Sequence, residues 1–300
     1  MKIRPPLLKE GDRIGIIAPA GPVSQEELRP GLEFLESVGF EPVCAPHLYD
    51  RKGYLAGEDK ARVRDLHAMF RDRRIKAVLC ARGGYGTHRI LQELDYELLR
   101  RDPKIVVGYS DITALLVALF RKSGLITFHG PVLRDLLKGG GGNAALLVKR
   151  MTSDERITVN FPEGTAVKKG RAEGVVLGGN LSLICQLLGT SFLPSFKGKL
   201  LFLEDKAEPL YRIDRMLTHL LLSGEMERCA GLMVGSFEGC GDEDSVVDLV
   251  RERCARLKVP IVAGFPVGHG VCNGPLPIGA RAVLDTKTMS LAFKEPCVGR

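Results

Sequence analysis

The chain alternates apolar, strand-like runs with longer helix-like segments from its start to about residue 138. The run RIGIIAPA precedes a helix-like stretch from Ser24 to Val38, and another such stretch, from Glu58 to Arg71, precedes the run IKAVLCA. Strands that alternate with helices in this way form βαβ units on a parallel sheet. The pattern therefore predicts an α/β fold whose first domain, residues 1–140, contains a doubly wound parallel sheet.

The signals change over residues 141–173. Pro and Gly punctuate the polar stretch SDERITVNFPEGTAVKKGRAEG, which predicts a linker with room for a short β-hairpin. Beyond it, strand-like runs such as KLLFLED and GLMVGSF again alternate with helices, and ARAVLDTKTMSLAF predicts a closing antiparallel pair. We therefore expect a second domain of mixed α/β structure over residues 174–300.

Composition excludes several functional classes. The net charge is +7, but basic and acidic residues are interleaved, aromatics make up only 6% and Trp is absent, so a nucleic-acid surface is not expected. Cys229 and Cys240, the closest of the eight cysteines, are eleven residues apart, which excludes C-x-x-C zinc or redox motifs. Cys80 and Cys185 lie inside apolar runs, a pattern that fits a reducing compartment. No apolar run approaches the roughly 18 residues of a membrane span, so we expect a cytoplasmic protein that does not enter a membrane. The sequence also has no cluster of metal-ligand residues, and we expect neither a metal nor a cofactor.

The segment KIVVGYSDITALL places Ser110 between an apolar strand and a helix, with Gly108 two residues earlier. This arrangement resembles a nucleophile elbow, where a sharp strand-to-helix turn exposes a serine hydroxyl. It departs from G-x-S-x-G because Ile112 stands in place of the second Gly. A helix N-cap is the alternative role for Ser110, and both roles place it at the carboxyl end of a strand, where such sheets bind ligands.

A second strand-to-helix turn, ARGGYG, carries Gly83, Gly84 and Gly86. Its backbone N–H groups could hold either a phosphate or the oxyanion of an acyl-transfer intermediate. The sequence matches neither phosphate-binding fingerprint, and the predicted position beside the Ser110 strand favours the oxyanion. A non-catalytic nucleotide-binding module remains the alternative from a different functional class.

A nucleophilic serine needs a histidine base and a carboxylate that orients it. Glycines surround His269 at the end of the apolar run PIVAGFPVG, which favours a positioned imidazole. His129, at the end of the strand LITFHG, is the other candidate for the base. Glu204 and Asp205 end the strand KLLFLED, and Glu208 lies in the following turn. A carboxylate at a strand end can orient a histidine from a rigid element.

Six motifs in this order resemble those of the serine LD-carboxypeptidases of bacterial cell-wall recycling and their microcin C immunity relatives. They are GDRIGIIAPAGPV, ARGGYG, GYSDITALL with FHGP after it, GGNL, LFLEDKAEPLYRIDRML and GFPVGHG, and together they span nearly the whole chain. The resemblance implies a flavodoxin-like N-terminal domain, a smaller β-rich C-terminal domain, a catalytic site between them and a homodimer.

Carried over to this sequence, the resemblance implies a triad of Ser110 as nucleophile, His269 as base and acid, and Glu204 as the orienting carboxylate. Glu208 is the less favoured alternative for the third position. The resemblance implies no cofactor and no metal.

The resemblance also implies that the oxyanion is held by the backbone N–H groups of Asp111 and Gly84, and we expect Gly83 and Tyr85 to contact the substrate. The implied substrate is a murein tetrapeptide that loses its terminal D-alanine, with lysine or diaminopimelate at the third position left open. A microcin-immunity type amidase acting on aminoacyl-adenylate analogues is the alternative within the family.

Overall fold

The computed structural model describes residues 2–299. The first half of the chain alternates strands and helices. Its elements are β1 (Arg13–Ile17), α1 (Gln25–Ser37), β2 (Glu41–Cys44), α2 (Asp59–Arg71), β3 (Ile75–Cys80), α3 (Thr87–Ile90), α4 (Tyr96–Arg101), β4 (Ile105–Gly108), α5 (Thr113–Ser123) and β5 (Thr127–His129).

The second half contains more strands than helices. Its elements are α6 (Gly142–Thr152), β6 (Thr158–Asn160), β7 (Thr165–Lys168), β8 (Arg171–Asn180), α7 (Leu181–Leu187), β9 (Lys199–Lys206), α8 (Leu210–Leu222), β10 (Gly231–Glu238), α9 (Glu243–Arg253), β11 (Ile261–Ala263), β12 (Leu276–Ile278), β13 (Arg281–Asp285) and β14 (Ser290–Phe293).

The first sheet contains five parallel strands in the order β2-β1-β3-β4-β5. This is the flavodoxin-like order of a doubly wound sheet, which binds ligands where the order reverses, beyond the carboxyl ends of the strands. The strands are short, continuous apolar runs such as IVVG in β4, which is buried throughout, because helices cover both faces of such a sheet. The prediction of a doubly wound parallel sheet is confirmed.

The second sheet has eight strands in the order β6-β14-β13-β8-β9-β10-β11-β7. Its centre, from β8 to β11, is parallel, and the strands on either side are antiparallel. The hairpin of β13 and β14 forms the antiparallel pair expected near the end of the chain. The prediction of a mixed, strand-rich second part is therefore confirmed.

The segment 141–173, predicted as a linker, contains helix α6 and the two edge strands β6 and β7 of the second sheet. Edge strands are short and polar on their exposed side, so their sequences lack the apolar run of a central strand. Strand β12 also departs from a simple division of the chain, because it pairs antiparallel with β5 at the edge of the first sheet. Where one domain ends and the next begins stays a prediction.

The two sheets meet where strands of both halves end. The hydroxyl of Thr113, at the start of α5, accepts a hydrogen bond of 3.1 Å from the backbone N–H of Asn180, at the end of β8. A Cβ added to Gly179 would lie 2.6 Å from the same hydroxyl oxygen, so only glycine allows this close approach. The carboxyl ends of β4 and β8 therefore lie together, and they define the region of the candidate site.

Candidate active site

Ser110 lies on a sharp turn between β4 and α5. Its φ of +61° is one of only three positive values among the non-glycine residues that the structure describes. Such a conformation costs about 1–3 kcal/mol and persists where the surrounding structure imposes it, as in nucleophile elbows. The backbone thus has the geometry that the sequence predicts for an elbow, although the second Gly of that motif is missing.

The glycine loop after β3 lies against this turn. A Cβ added to Gly83 would approach Ser110 Cβ to 2.8 Å and its Oγ to 3.0 Å, so no side chain fits there without a shift. The carbonyl of Gly83 accepts a hydrogen bond of 3.0 Å from the N–H of Gly21, which fixes the loop to the end of β1. The sequence predicted that these two turns lie side by side, and in the structure they are in contact.

The N–H groups of Gly84 and Asp111 donate no hydrogen bond to another group within residues 2–299. Asp111 uses its carboxylate elsewhere, since it accepts bonds from the N–H and hydroxyl of Thr87 at 2.9 and 2.8 Å. Burial raises the pKa of this carboxyl, and the bonds from Thr87 oppose the rise. The side chain of Asp111 therefore ties the two loops together, while both N–H groups stay free to bind an oxyanion.

His269 and Glu204 form a buried pair. The Nδ1 atom of His269 lies 2.6 Å from the carboxylate of Glu204, whose side chain is completely buried near the end of β9. Burial raises the pKa of Glu204, while the hydrogen bond to His269 acts in the opposite direction. A carboxylate on Nδ1 sets the tautomer of the ring and leaves Nε2 as the atom that can exchange a proton.

The backbone before His269 approaches β9 and β10 closely. Gly268 has a φ of +134°, and a Cβ there would overlap the hydroxyl of Ser236 and lie 3.0 Å from Glu204 Cβ. The Ser236 hydroxyl accepts a hydrogen bond of 3.0 Å from the N–H of Gly270. Gly268, one of the glycines that predicted a positioned imidazole, is therefore required by packing.

Residues before and within α6 also hold the His269 loop, and sequence reasoning missed them. The Lys138 ammonium donates to the carbonyl of His269 at 2.8 Å. The Asn143 side chain donates to the carbonyl of Val271 at 2.8 Å and accepts from the N–H of Asn273 at 2.9 Å. Their position in and beside the glycine run KGGGGN gave no sign of this role, because the contacts span about 130 residues of sequence.

The rival base, His129, is fully buried at the end of β5. Neither of its ring nitrogens has a hydrogen-bond partner within residues 2–299. Burial lowers the pKa of His129 to about 3, with a smaller contribution from His269. It is therefore a neutral imidazole without a carboxylate partner.

The alternative carboxylates lie in other surroundings. Glu208 pairs with Arg212 of α8 at 3.4 Å. Asp205 accepts hydrogen bonds from the Asn180 amide at 2.8 Å and from the N–H and hydroxyl of Ser182 at 2.9 and 2.7 Å, so it stabilises the start of α7. Of the three carboxylates considered from sequence, Glu204 is the one that contacts His269.

Tyr109 links the serine turn to the histidine, and sequence reasoning did not assign it a role. Its ring centroid lies 4.7 Å from that of His269. Within residues 2–299, no hydrogen bond joins the Ser110 hydroxyl to the His269 ring. Tyr109, the residue before Ser110, contacts His269 instead. The position of Tyr109 next to Ser110 was the available signal. Catalytic hydrogen bonds are often long before substrate binds.

Tyr85, in the glycine loop, is 46% exposed, and its ring meets that of Tyr54 edge-on at 5.6 Å between centroids. Tyr54 is 66% exposed. The loop therefore carries an exposed, edge-on aromatic pair.

No cluster of three or more His, Cys, Asp and Glu side chains within residues 2–299 could hold a metal ion. In the same part of the chain, every helix is too short or too polar to cross a membrane.

Comparison with known proteins identifies the family. Residues 14–130 match the LD-carboxypeptidase N-terminal domain, and residues 173–284 match the LD-carboxypeptidase C-terminal domain. The chain therefore belongs to the LD-carboxypeptidase family, a family of peptidases, as its motifs predicted.

Individual relatives cover almost the whole chain. A putative carboxypeptidase of Streptomyces coelicolor is 42% identical over 99% of this chain and 97% of its own length. A probable murein peptide carboxypeptidase of Bacillus subtilis is 40% identical over 95% of this chain and 92% of its own length. The crystal structure of an MccF-like protein from Bacillus anthracis superposes with a TM-score of 0.91 at 28% identity, covering 98% of this chain and 99% of that one.

Proposed function

We propose that the chain is a serine LD-carboxypeptidase that removes the terminal D-alanine from murein tetrapeptides. The observation that carries the proposal is the buried Glu204–His269 pair at 2.6 Å, next to the Tyr109 ring that precedes the strained Ser110 turn. A serine on an elbow, a histidine and a buried carboxylate form the arrangement of serine hydrolases on unrelated folds.

In the proposed reaction, His269 Nε2 accepts the proton of the Ser110 hydroxyl as Oγ forms a bond to the carbonyl carbon of the scissile peptide. The carbonyl π electrons move to oxygen, and the N–H groups of Gly84 and Asp111 stabilise the oxyanion. Glu204 stabilises the imidazolium through Nδ1.

Collapse of the intermediate breaks the C–N bond, and His269 donates its proton to the departing D-alanine nitrogen. Water then attacks the acyl-enzyme with His269 again as base, which releases the shortened peptide and restores Ser110. The Gly83 backbone and the exposed Tyr85 are the proposed substrate contacts in the loop beside Ser110.

The substrate class rests on the name of the Bacillus subtilis relative, a probable murein peptide carboxypeptidase. The test is D-alanine release from a murein tetrapeptide by the purified chain, with Ser110→Ala beside it and Ser245→Ala, outside the candidate site, as the matched control. We expect release by the unmodified chain and the control only. Full activity of Ser110→Ala would contradict the serine mechanism.

A microcin-immunity type amidase is the second candidate. The fold similarity to the MccF-like protein and the exposed Tyr54–Tyr85 pair, which could stack on a nucleobase, favour it. Incubation with an aminoacyl sulfamoyl adenosine separates the two candidates. Cleavage of this compound without D-alanine release from the tetrapeptide would replace the first candidate with the second.

A further inference from the structure

Tyr109 forms an aromatic contact across the two halves of the candidate site. It lies between the end of β4 and Ser110, has an extended backbone and is only 6% exposed. Its ring centroid is 4.7 Å from that of His269, with the two planes tilted by 49°. One side chain therefore joins the turn of the proposed nucleophile to the ring of the proposed base.

The Tyr109 ring is itself held from several sides. Its hydroxyl donates a hydrogen bond of 2.6 Å to Asp135, and His129 meets its ring edge-on at 6.0 Å. Burial, with the Asp135 carboxylate adding to it, raises the pKa of Tyr109, so the hydroxyl keeps the proton that it donates. With the backbone fixed in the turn, the ring has little freedom to move.

Glu204 alone does not fix the imidazole of His269. One hydrogen bond at Nδ1 sets the distance of the ring, but the ring can still pivot about that bond. A rigid aromatic surface at 4.7 Å restricts this movement and keeps Nε2 directed at one place. Correct orientation of a base is a large part of its catalytic effect.

The Tyr109 ring is the aromatic neighbour of the His269 imidazole. The other groups near His269 are the carboxylate of Glu204 on β9, the neutral His129 on β5 and the Lys138 ammonium, which binds the backbone carbonyl. Glu204 contacts the imidazole through Nδ1, while Tyr109 contacts it through the ring.

We infer that Tyr109 is a positioning residue, whose ring, held by Asp135, keeps the His269 imidazole in the orientation that proton transfer from Ser110 requires. The inference rests on the proposed roles of Ser110 and His269. It assigns Tyr109 no contact with the reacting atoms.

The test compares Tyr109→Leu, which removes the ring, with Tyr109→Phe, which keeps the ring and loses the bond to Asp135. Tyr96→Leu is the matched control, because that tyrosine also donates its hydroxyl, at 2.8 Å to the carbonyl of Leu91, and lies outside the site. We expect kcat for D-alanine release to fall roughly 10²-fold in Tyr109→Leu through lost orientation, with little change in KM. Tyr109→Phe keeps the ring but frees it from Asp135, so a smaller fall in kcat than in Tyr109→Leu is expected, and the control stays unchanged.

The mobility of the His269 ring supplies a readout that a purely structural role would not move. In Ser110→Ala protein, NMR relaxation is expected to show a more mobile imidazole when Tyr109→Leu is added, because the aromatic surface that restricts the ring is gone. Tyr109→Phe keeps that surface and is expected to restore most of the restriction.

The NMR arm separates the two proposals. If the unmodified chain releases no D-alanine, the proposed function fails, and the mobility of the His269 ring alone decides whether Tyr109 positions it. A lower melting temperature in Tyr109→Leu with unchanged kcat and unchanged ring mobility would overturn the inference. If Tyr109→Leu does not fold, Tyr109→Phe decides, and an unchanged kcat in that variant contradicts the role.

Discussion

The loop that carries His269 and the strand end that carries His129 place two histidines against the same Tyr109 ring, at 4.7 and 6.0 Å between centroids. Both are buried, at 7% and 0% exposure, yet only His269 has a carboxylate on its ring. The hydrogen bond to Glu204 therefore distinguishes the proposed base from a histidine that only packs. Burial and position at a strand end do not distinguish them.

The surroundings of His129 suit an apolar ring. Phe202 meets it edge-on at 5.1 Å and Tyr109 lies on another side, while both nitrogens lack partners within residues 2–299. Burial without hydrogen-bond partners disfavours the charged imidazolium, and this lowers the pKa of His129 to about 3. His129 cannot carry a proton near neutral pH, which a base must do between the two halves of the reaction.

Replacing each histidine tests this comparison most strongly. His269→Ala is expected to lower kcat for D-alanine release by roughly 10⁶-fold, the scale seen when a triad histidine is removed. His129→Phe keeps an aromatic ring between Tyr109 and Phe202 and is expected to retain most of the activity. Steady-state kinetics on both variants, with circular dichroism to verify folding, is the measurement.

Equal losses of kcat in the two variants would contradict the assignment of His269 as the base. A larger loss of kcat in His129→Phe would favour His129 instead. A folded His129→Phe protein with normal KM and a greatly reduced kcat is the specific result that would restore His129 as the base.

The carboxylates give the next effect in size. Glu204→Gln removes the charge that stabilises the His269 imidazolium, and a loss of about 10⁴-fold in kcat is expected, as for amide replacements in other triads. Glu208→Gln is the matched control, because Glu208 contacts Arg212 and its loss should leave kcat unchanged. If Glu208→Gln lost activity and Glu204→Gln kept it, Glu208 would be the carboxylate that orients His269 and Glu204 would not.

The sequence predicted those parts of the molecule that depend on local signals. Continuous apolar runs marked the central strands, and turn glycines marked the ends of β3 and β4 with Ser110 between strand and helix. The doubly wound sheet follows from such signals, and the six motifs predicted the family. The homodimer and the cytoplasmic location stay predictions.

Long-range contacts could not be predicted in this way. Lys138 and Asn143 reach the His269 loop across about 130 residues, and β12 returns to the first sheet, because such contacts depend on how distant elements pack. The segment of the edge strands β6 and β7 was predicted as a linker with room for a short hairpin and not as part of the second sheet, since polar, half-exposed strands resemble loops. The choice between His129 and His269 likewise depends on a partner 65 residues away in sequence.

The smallest expected effect is the contribution of the buried His129 to stability. Below pH 6.5 the unfolded chain binds a proton at this residue, while the folded chain, with a pKa of about 3, does not. The unfolded state therefore gains stability as the pH falls, and the His129 contribution is fully present above pH 6.5 and lost toward pH 3. Between pH 7 and pH 5 this amounts to about 2 kcal/mol of unfolding free energy.

Urea unfolding of the unmodified chain and His129→Phe at these two pH values measures the effect. His67 and His88, whose pKa values burial also lowers, act in the same direction in both proteins, so the difference between the two proteins isolates His129. We expect the unmodified chain to lose about 2 kcal/mol more than the variant. An equal loss would mean that folded His129 binds a proton in this range, and the contrast with His269 would then rest on the Glu204 hydrogen bond alone.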